Sequence, residues 1–296
     1  MTRPFRFGVN MVSLSTGDDW REKCRTAERL GYDVILVPDH LGAPSPFPAL
    51  VAAAEATERP RVGTFVLNAG FWNPALLARE VATTDALTGG RLELGLGTGY
   101  VKPEHDAAGL PWGTPGERVD HLRRAIEELD KLLGADEHQP QPLQKPRPPL
   151  LIGGNGDRML QLTSQHADIA AFTGAKAAPG DSSGTLRHLT AEELDERIAA
   201  YHRFAADRAA PAELNLLIQM VEVTDDRRAA VRPVVEYIPR LTEDTALELP
   251  IVLIGTVRQI ADQLRAQRER YGFSYITVLE PYFEAFGPVI EELSGS

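Results

Sequence analysis

Cysteine is almost absent: Cys24 is the one thiol in 296 residues. One thiol cannot close an internal disulfide, and such usage is expected of a protein kept in a reducing cytoplasm. Cys24 lies inside the first helical pattern, where a packed, inert thiol is expected. Long apolar runs are missing too. None approaches the roughly 20 residues a helix needs to cross a bilayer. The start, Met1-Thr-Arg-Pro-Phe-Arg6, shows no apolar secretory segment before the first strand. Basic charge is in short supply, with 31 Lys and Arg against 42 Asp and Glu and a net charge of −11. Nucleic-acid binding needs a basic face, so that class of partner is set aside. An anionic ligand must instead be held by backbone N–H groups or a few placed cations. No His or Cys pair stands at ligand spacing, so no metal site is expected.

Alternation of short apolar runs with amphipathic stretches fills the chain. Asp33–Pro38, DVILVP, is continuously apolar, as strands are when a parallel sheet is covered on both faces. Eight such strands are expected near residues 5–10, 33–38, 61–67, 91–96, 149–153, 168–172, 214–223 and 274–279, nearly all followed by helix. Eight alternating units predict an α/β fold of the closed (β/α)8 TIM-barrel type with loop insertions. The competitor, a doubly wound open sheet, calls for a Gly-rich fingerprint after the first strand. Gly8-Val-Asn-Met-Val12 offers none. The Pro/Gln-rich segment His138–Pro149, with five prolines, sits between consecutive units and reads as an insertion, so residues 1–296 are taken as one domain. Ile251–Ile254 reads as a stub before a helix rather than a ninth strand. Tyr100–Pro115 reads as a long loop, Thr173–His188 as a mobile Gly/Ser/Ala-rich loop, and Asp225–Leu249 as a helix interrupted near Pro233 and Pro239.

Barrel chemistry sits at the C-terminal ends of the strands. Here those ends carry Asn10, Asp39-His40, Asn68, Gly97-Thr98-Gly99-Tyr100, Gly153-Gly154-Asn155-Gly156, Thr173-Gly174, Glu222 and Glu280. His40 is the leading catalytic candidate, because imidazole titrates near working pH and can bond a cofactor or substrate oxygen. Asp39 could orient that ring or hold its own turn. The Gly153–Gly156 turn runs from a strand into a helix, and free N–H groups at a helix start suit a phosphate, with Arg158 as a counter-charge. The same turn serves many proteins as structure alone. Gly95-Leu-Gly-Thr-Gly99 places a glycine at every second position, which either lets a flat ring approach the backbone or makes a tight bend at the rim. Tyr100, Trp112 and Phe47 are candidates to line a substrate pocket, or to pack.

The central stretch Arg61–Tyr100, RVGTFVLNAGFWNPALLAREVATTDALTGGRLELGLGTGY, resembles the signature of the luciferase-like monooxygenase superfamily. More narrowly, it resembles the oxidoreductases of that superfamily that use coenzyme F420, a 5-deazaflavin. Leu151–Arg158 is similar to the family's phosphate loop, Leu253–Leu264 to its late helix, and Asp39-His40 to the second-strand end of the deazaflavin-dependent members. The resemblance implies a barrel with the cofactor at its mouth, and a non-prolyl cis peptide at Phe65-Val66 supporting the ring. It also implies contacts from His40, Asn68, Gly97, Thr98 and Gly99 to the ring or its side chain, phosphate held at Gly153, Gly154, Asn155 and Gly156, and a homodimer. Hydride transfer to or from a small organic substrate is the implied activity, with His40 or Tyr100 moving the proton. FMN with oxygen, in a monooxygenase, is the alternative, and a non-catalytic relative is disfavoured by the intact strand ends. The sugar-phosphate dehydrogenases of the family carry a tryptophan shortly after Asp-His and a glutamate after Gly-Thr-Gly. Pro44 or Ser45 and Tyr100 stand there in this chain, so that activity is not carried over.

Overall fold

The computed structural model describes residues 3–177, 186–237 and 241–294. Eight parallel strands form the barrel: β1 (Arg6–Asn10), β2 (Val34–Val37), β3 (Arg61–Thr64, resuming at Leu67–Asn68), β4 (Leu92–Gly97), β5 (Leu150–Gly153), β6 (Ile169–Phe172), β7 (Glu213–Ile218) and β8 (Phe273–Leu279). Each pairs with the next in sequence order, and β8 pairs with β1 to close the ring. Closure leaves no edge, which is why short apolar runs are safe here.

The apolar runs are buried on both faces because two cores exist. Outward-facing side chains such as Val9, Ile35, Phe172 and Ile276 meet the helices, among them Trp20, Leu50, Leu129 and Phe286. Inward-facing Val34, Leu36, Phe65, Leu151, Ile169, Ala171, Leu217 and Tyr275 fill the barrel. Its N-terminal end is closed by charge. Glu93, 2% exposed, accepts from Arg6 at 2.5 Å and from Arg61 at 2.7 Å. Arg6 also reaches Glu213 at 2.9 Å and lies 4.0 Å above the Tyr275 ring. Buried charges persist when paired in this way. The strand ends that carry the candidate residues lie at the opposite end.

Helix starts follow their sequence signals. Thr190 and Glu193 form a capping box for Ala191–Phe204, as do Thr256 and Gln259 for Val257–Tyr271. Asn73 caps Pro74–Leu87, where Pro74 occupies the first turn at no cost in hydrogen bonds.

The structure corrects five expectations. Residues 214–223 are not one strand: β7 ends at Ile218, and Met220–Val223 leaves the barrel. It pairs in parallel with Val252–Gly255, the segment read as a stub. That run becomes a strand because a partner lies beside it, a fact of tertiary placement. Tyr100–Pro115 is not all loop, since Lys102–Ala108 is helical. Its signals are Pro103 in the first turn and Gly109 in the left-handed cap (φ 67°). Pro233 does not interrupt its helix but lies within Arg227–Tyr237, and Pro239 falls outside the described residues. The segment read as a mobile loop carries short antiparallel strands, Ala175–Ala177 and Leu186–His188; its centre, 178–185, is also outside the described residues.

Among the described residues no helix is long and apolar enough to cross a membrane.

Candidate active site at the barrel mouth

The site begins with an irregularity in β3. After Thr64 the ladder breaks, the Phe65-Val66 peptide is cis, and pairing resumes at Leu67–Asn68 against Leu96–Gly97. Thr64 bridges the break: its hydroxyl donates to the Gly95 carbonyl and accepts from the Gly95 N–H, both at 2.8 Å. The bulge crowds β4, and this explains its glycines. A Cβ at Gly95 would lie 2.0 Å from the Thr64 carbonyl oxygen, and one at Gly97 would lie 2.7 Å from Val66 Cγ2. At Gly99 the backbone is left-handed (φ 70°), and a Cβ would meet the Asn68 carboxamide at 2.5 Å. The alternation read as room for a ring is thus demanded first by the neighbouring strand. Val66 lies against Gly97, and a Cβ at Gly153 would lie 3.8 Å from Val66 Cγ1.

Asp39 does not orient His40. Its Oδ2 accepts from the Asn68 N–H at 3.1 Å and from Trp72 Nε1 at 2.9 Å, so it holds the turn after β3. Burial pushes its carboxyl pKa upward, against the lowering effect of those two bonds. The carboxylate that reaches the imidazole is Glu104, whose Oε1 lies 2.9 Å from His40 Nδ1. On the other ring nitrogen, the Tyr100 hydroxyl approaches Nε2 at 3.4 Å, the rings edge to face at 5.5 Å. Burial raises the Tyr100 pKa and the Glu104 charge adds to it, so the phenol stays protonated. Tyr100 is 46% exposed and His40 is part-exposed, so the pair faces the mouth. The short helix Lys102–Ala108 carries Glu104 back to the end of β2.

Glu280, at the end of β8, is turned to structure. It accepts from the Val12 and Ser13 N–H groups at 2.6 and 2.8 Å, from Ser13 Oγ at 2.5 Å and from Lys23 at 2.8 Å, pinning the loop after β1. Burial works to raise its pKa, and these bonds together outweigh that and lower it. A depressed carboxylate stabilises the fold above its unfolded pKa and loses that contribution as pH falls through the folded one. Glu280→Gln should therefore be less stable than the parent at neutral pH, with the gap closing below the ordinary glutamate value of 4.5. Urea unfolding of both proteins across that range checks it, and a gap independent of pH would refute it.

The phosphate candidate stands at the end of β5. Gly156 is the N-cap of Asp157–His166 and no side chain caps that helix, so its first N–H groups are not claimed by a cap. A Cβ at Gly156 meets nothing within 4 Å. Asn155 donates to Thr173 Oγ1 at 3.1 Å and to the Ala175 carbonyl at 2.5 Å, while its Oδ1 is buried with no partner among the described residues. Arg158 pairs with Asp120 at 2.7 Å on the outer helix Pro115–Gly134, which draws its guanidinium away from a counter-charge role in this arrangement. The cations beside the turn are two that sequence reasoning missed. Lys176 and Arg197 line, with Asn155 and Gly156, a cleft of about 250 Å³, and pair with Glu193 at 2.8 Å and Asp157 at 2.6 Å. Uncapped N–H groups and an open glycine fit a phosphate-bearing cofactor, whereas Asn155 Oδ1 can only accept and is suited to a donor such as a hydroxyl. Among the described residues no three His, Cys, Asp or Glu gather as a metal site. Cys24 is buried, and desolvation pushes its thiol up to about 12, as an inert packed thiol should be.

Comparison with known proteins bears on the family and the fold. Over 223 residues, 67% of this chain and 61% of the relative, the sequence is 33% identical to the oxygenase component of a flavin-dependent trigonelline monooxygenase from Acinetobacter baylyi. Over 117 residues, 36% of this chain and 35% of the relative, it is 39% identical to an F420-dependent glucose-6-phosphate dehydrogenase from Intrasporangium calvum. The matched regions thus span less than two thirds of each relative. An F420-dependent secondary alcohol dehydrogenase, solved with an F420-acetone adduct, superposes with a TM-score of 0.74 over 98% of both chains at 18% identity. A long-chain alkane monooxygenase does so with 0.76 at 13% identity, over 99% of this chain and 92% of that one. These two likenesses show the barrel fold. Residues 3–275 match the model of the luciferase-like monooxygenases, and the chain belongs to that family.

Proposed function

We propose that this chain is an oxidoreductase that moves a hydride between coenzyme F420 and a small organic substrate at the barrel mouth. The observation that carries the reading is His40, standing past the end of β2 with Glu104 on Nδ1 and the Tyr100 hydroxyl near Nε2. The bound deazaflavin supplies the hydride chemistry, and the protein supplies position and protons. Glu104 accepts from Nδ1–H, which leaves the Nε2 lone pair directed to the mouth. That nitrogen is placed to take a proton from a substrate hydroxyl or return one to a carbonyl oxygen. Tyr100 is the second proton-bearing group. Asp39 acts through the turn it holds.

Phe65 and Val66 form the support for the ring, with Gly97, Thr98 and Gly99 as the facing wall. Asn68 contributes its place in the turn, because its side chain is already bonded within the protein. Gly153, Gly154, Asn155 and Gly156 take the phosphate, joined by Lys176 and Arg197 once their acidic partners yield. A single domain acting as a homodimer in the cytoplasm is the accompanying reading.

FMN with oxygen is the second reading, favoured by the identity to the trigonelline monooxygenase component. Fluorescence titration of the purified protein separates the two. Saturable quenching of F420 with no uptake of FMN is expected. Tight FMN binding with oxygen consumption in the presence of a reductase would replace the first reading by the second.

A further inference from the structure

The helix Lys102–Ala108 carries two consecutive side chains that act in opposite directions. Glu104 reaches His40. His105 turns inward and is 1% exposed. Both of its ring nitrogens are bonded. Nδ1 lies 2.9 Å from the Pro111 carbonyl, which can only accept, so Nδ1 carries the proton. Nε2 is then the acceptor for Asn68 Nδ2, also at 2.9 Å. The Asn68 amide cannot turn over without loss, because its Oδ1 accepts from the Gly70 N–H at 3.1 Å. Gly70 has no side chain for a reason: a Cβ there would lie 2.6 Å from His105 Cε1. Phe71 and Trp112 enclose the ring, with centroids at 5.0 and 4.8 Å.

These contacts close a circuit. Asp39 accepts from the Asn68 backbone, the Asn68 side chain donates to His105, Glu104 precedes His105, and Glu104 returns to His40, which follows Asp39. Two of the steps are peptide bonds, so the circuit has little slack. We infer that His105 is a positioning residue for His40: by docking the Lys102–Ala108 helix on the turn after β3, it sets Glu104 against Nδ1 and holds the His40 imidazole in the tautomer with an unprotonated Nε2. The inference rests on the proposed role of His40 for its consequence, though the positioning itself does not.

The test is ¹⁵N-histidine NMR of the protein without cofactor, with His40→Asn used to assign the resonance. In the parent, His40 should show one tautomer, protonated at Nδ1, with a slowly exchanging Nδ1–H. His105→Phe keeps an aromatic ring between Phe71 and Trp112 but has no hydrogen-bonding nitrogen. It should speed exchange of the His40 Nδ1–H about tenfold or more and mix the tautomers. His105→Gln places an amide oxygen where Nε2 was, and should restore the parental signature. Asn68→Ala cuts the same link from the other side without touching the helix, and should reproduce the loss should the Phe variant not fold. A folded His105→Phe or Asn68→Ala protein with an unchanged His40 signal overturns the inference. Failure of F420 to bind the parent leaves this result standing and removes only the functional reading.

Discussion

Replacing His40 by alanine is expected to lower turnover about 10²–10⁴-fold, the usual contribution of a positioned acid–base group. The F420 dissociation constant is expected to stay within about tenfold of the parent, a change of at most ~1.4 kcal/mol. The asymmetry follows from where the groups lie. His40 stands at the mouth with one nitrogen committed to Glu104 and the other facing outward. The proposed cofactor contacts come from other elements: the bulge of β3, the glycines after β4 and the turn after β5. Removing the imidazole therefore takes away a proton carrier and leaves the cradle. Steady-state turnover, with F420 affinity measured separately by fluorescence, decides the matter. Unchanged turnover would remove His40 from catalysis, and a collapse of affinity alone would make it a binding residue.

The largest effect on stability is expected at Gly95. Its Cβ would stand 2.0 Å from the Thr64 carbonyl oxygen, well inside contact distance, and the obstacle is backbone. No rotamer change relieves such a clash. The Thr64 hydroxyl, bonded to both the N–H and the carbonyl of Gly95, ties the two strands together at that level. Gly95→Ala should cost about 3 kcal/mol or more, at the upper end for overpacking. Gly153→Ala is the control on the adjacent strand: its Cβ would meet Val66 Cγ1 at 3.8 Å, an ordinary contact. That substitution should change stability by less than about 1 kcal/mol, with reduced backbone freedom in the unfolded chain as a small gain. Urea unfolding compares them, and a Gly95→Ala protein within 1 kcal/mol of the parent would mean that β3 can slide away from β4.

The two predictions touch features of different legibility. His40 was found from its place after an apolar strand, because strand ends in a closed barrel share one mouth. Gly95, Gly97 and Gly99 were visible as a pattern with two explanations, a ring's approach or a bend at the rim, and the distances to Thr64, Val66 and Asn68 add a demand that neither contained, room for β3. Glu104 was the harder case. Its partner lies 64 residues away in sequence, and Asp39, adjacent to His40, was the nearer carboxylate on paper. Consecutive residues on an extended end point to opposite sides, so adjacency worked against Asp39. Lys176 and Arg197 escaped notice for a related reason. Each lies on a different element from the turn they flank, and each is neutralised by a local acid.

Local periodicity determined most of what this chain is. Apolar runs of strand length alternating with amphipathic helices specify the barrel, and the barrel assigns every strand end to one face. The central Arg61–Tyr100 stretch identified the family through residue types at fixed spacing. Contacts between distant segments belonged to the tertiary structure alone: the Met220–Val223 and Val252–Gly255 pair outside the barrel, the docking of Lys102–Ala108 through His105, and the choice of Glu104 over Asp39. The physical reason is the range of the forces. Propensity, capping and burial pattern act within a few residues and are written along the chain. A hydrogen bond across the mouth depends on where closure of the sheet brings two strand ends, which only the folded chain decides.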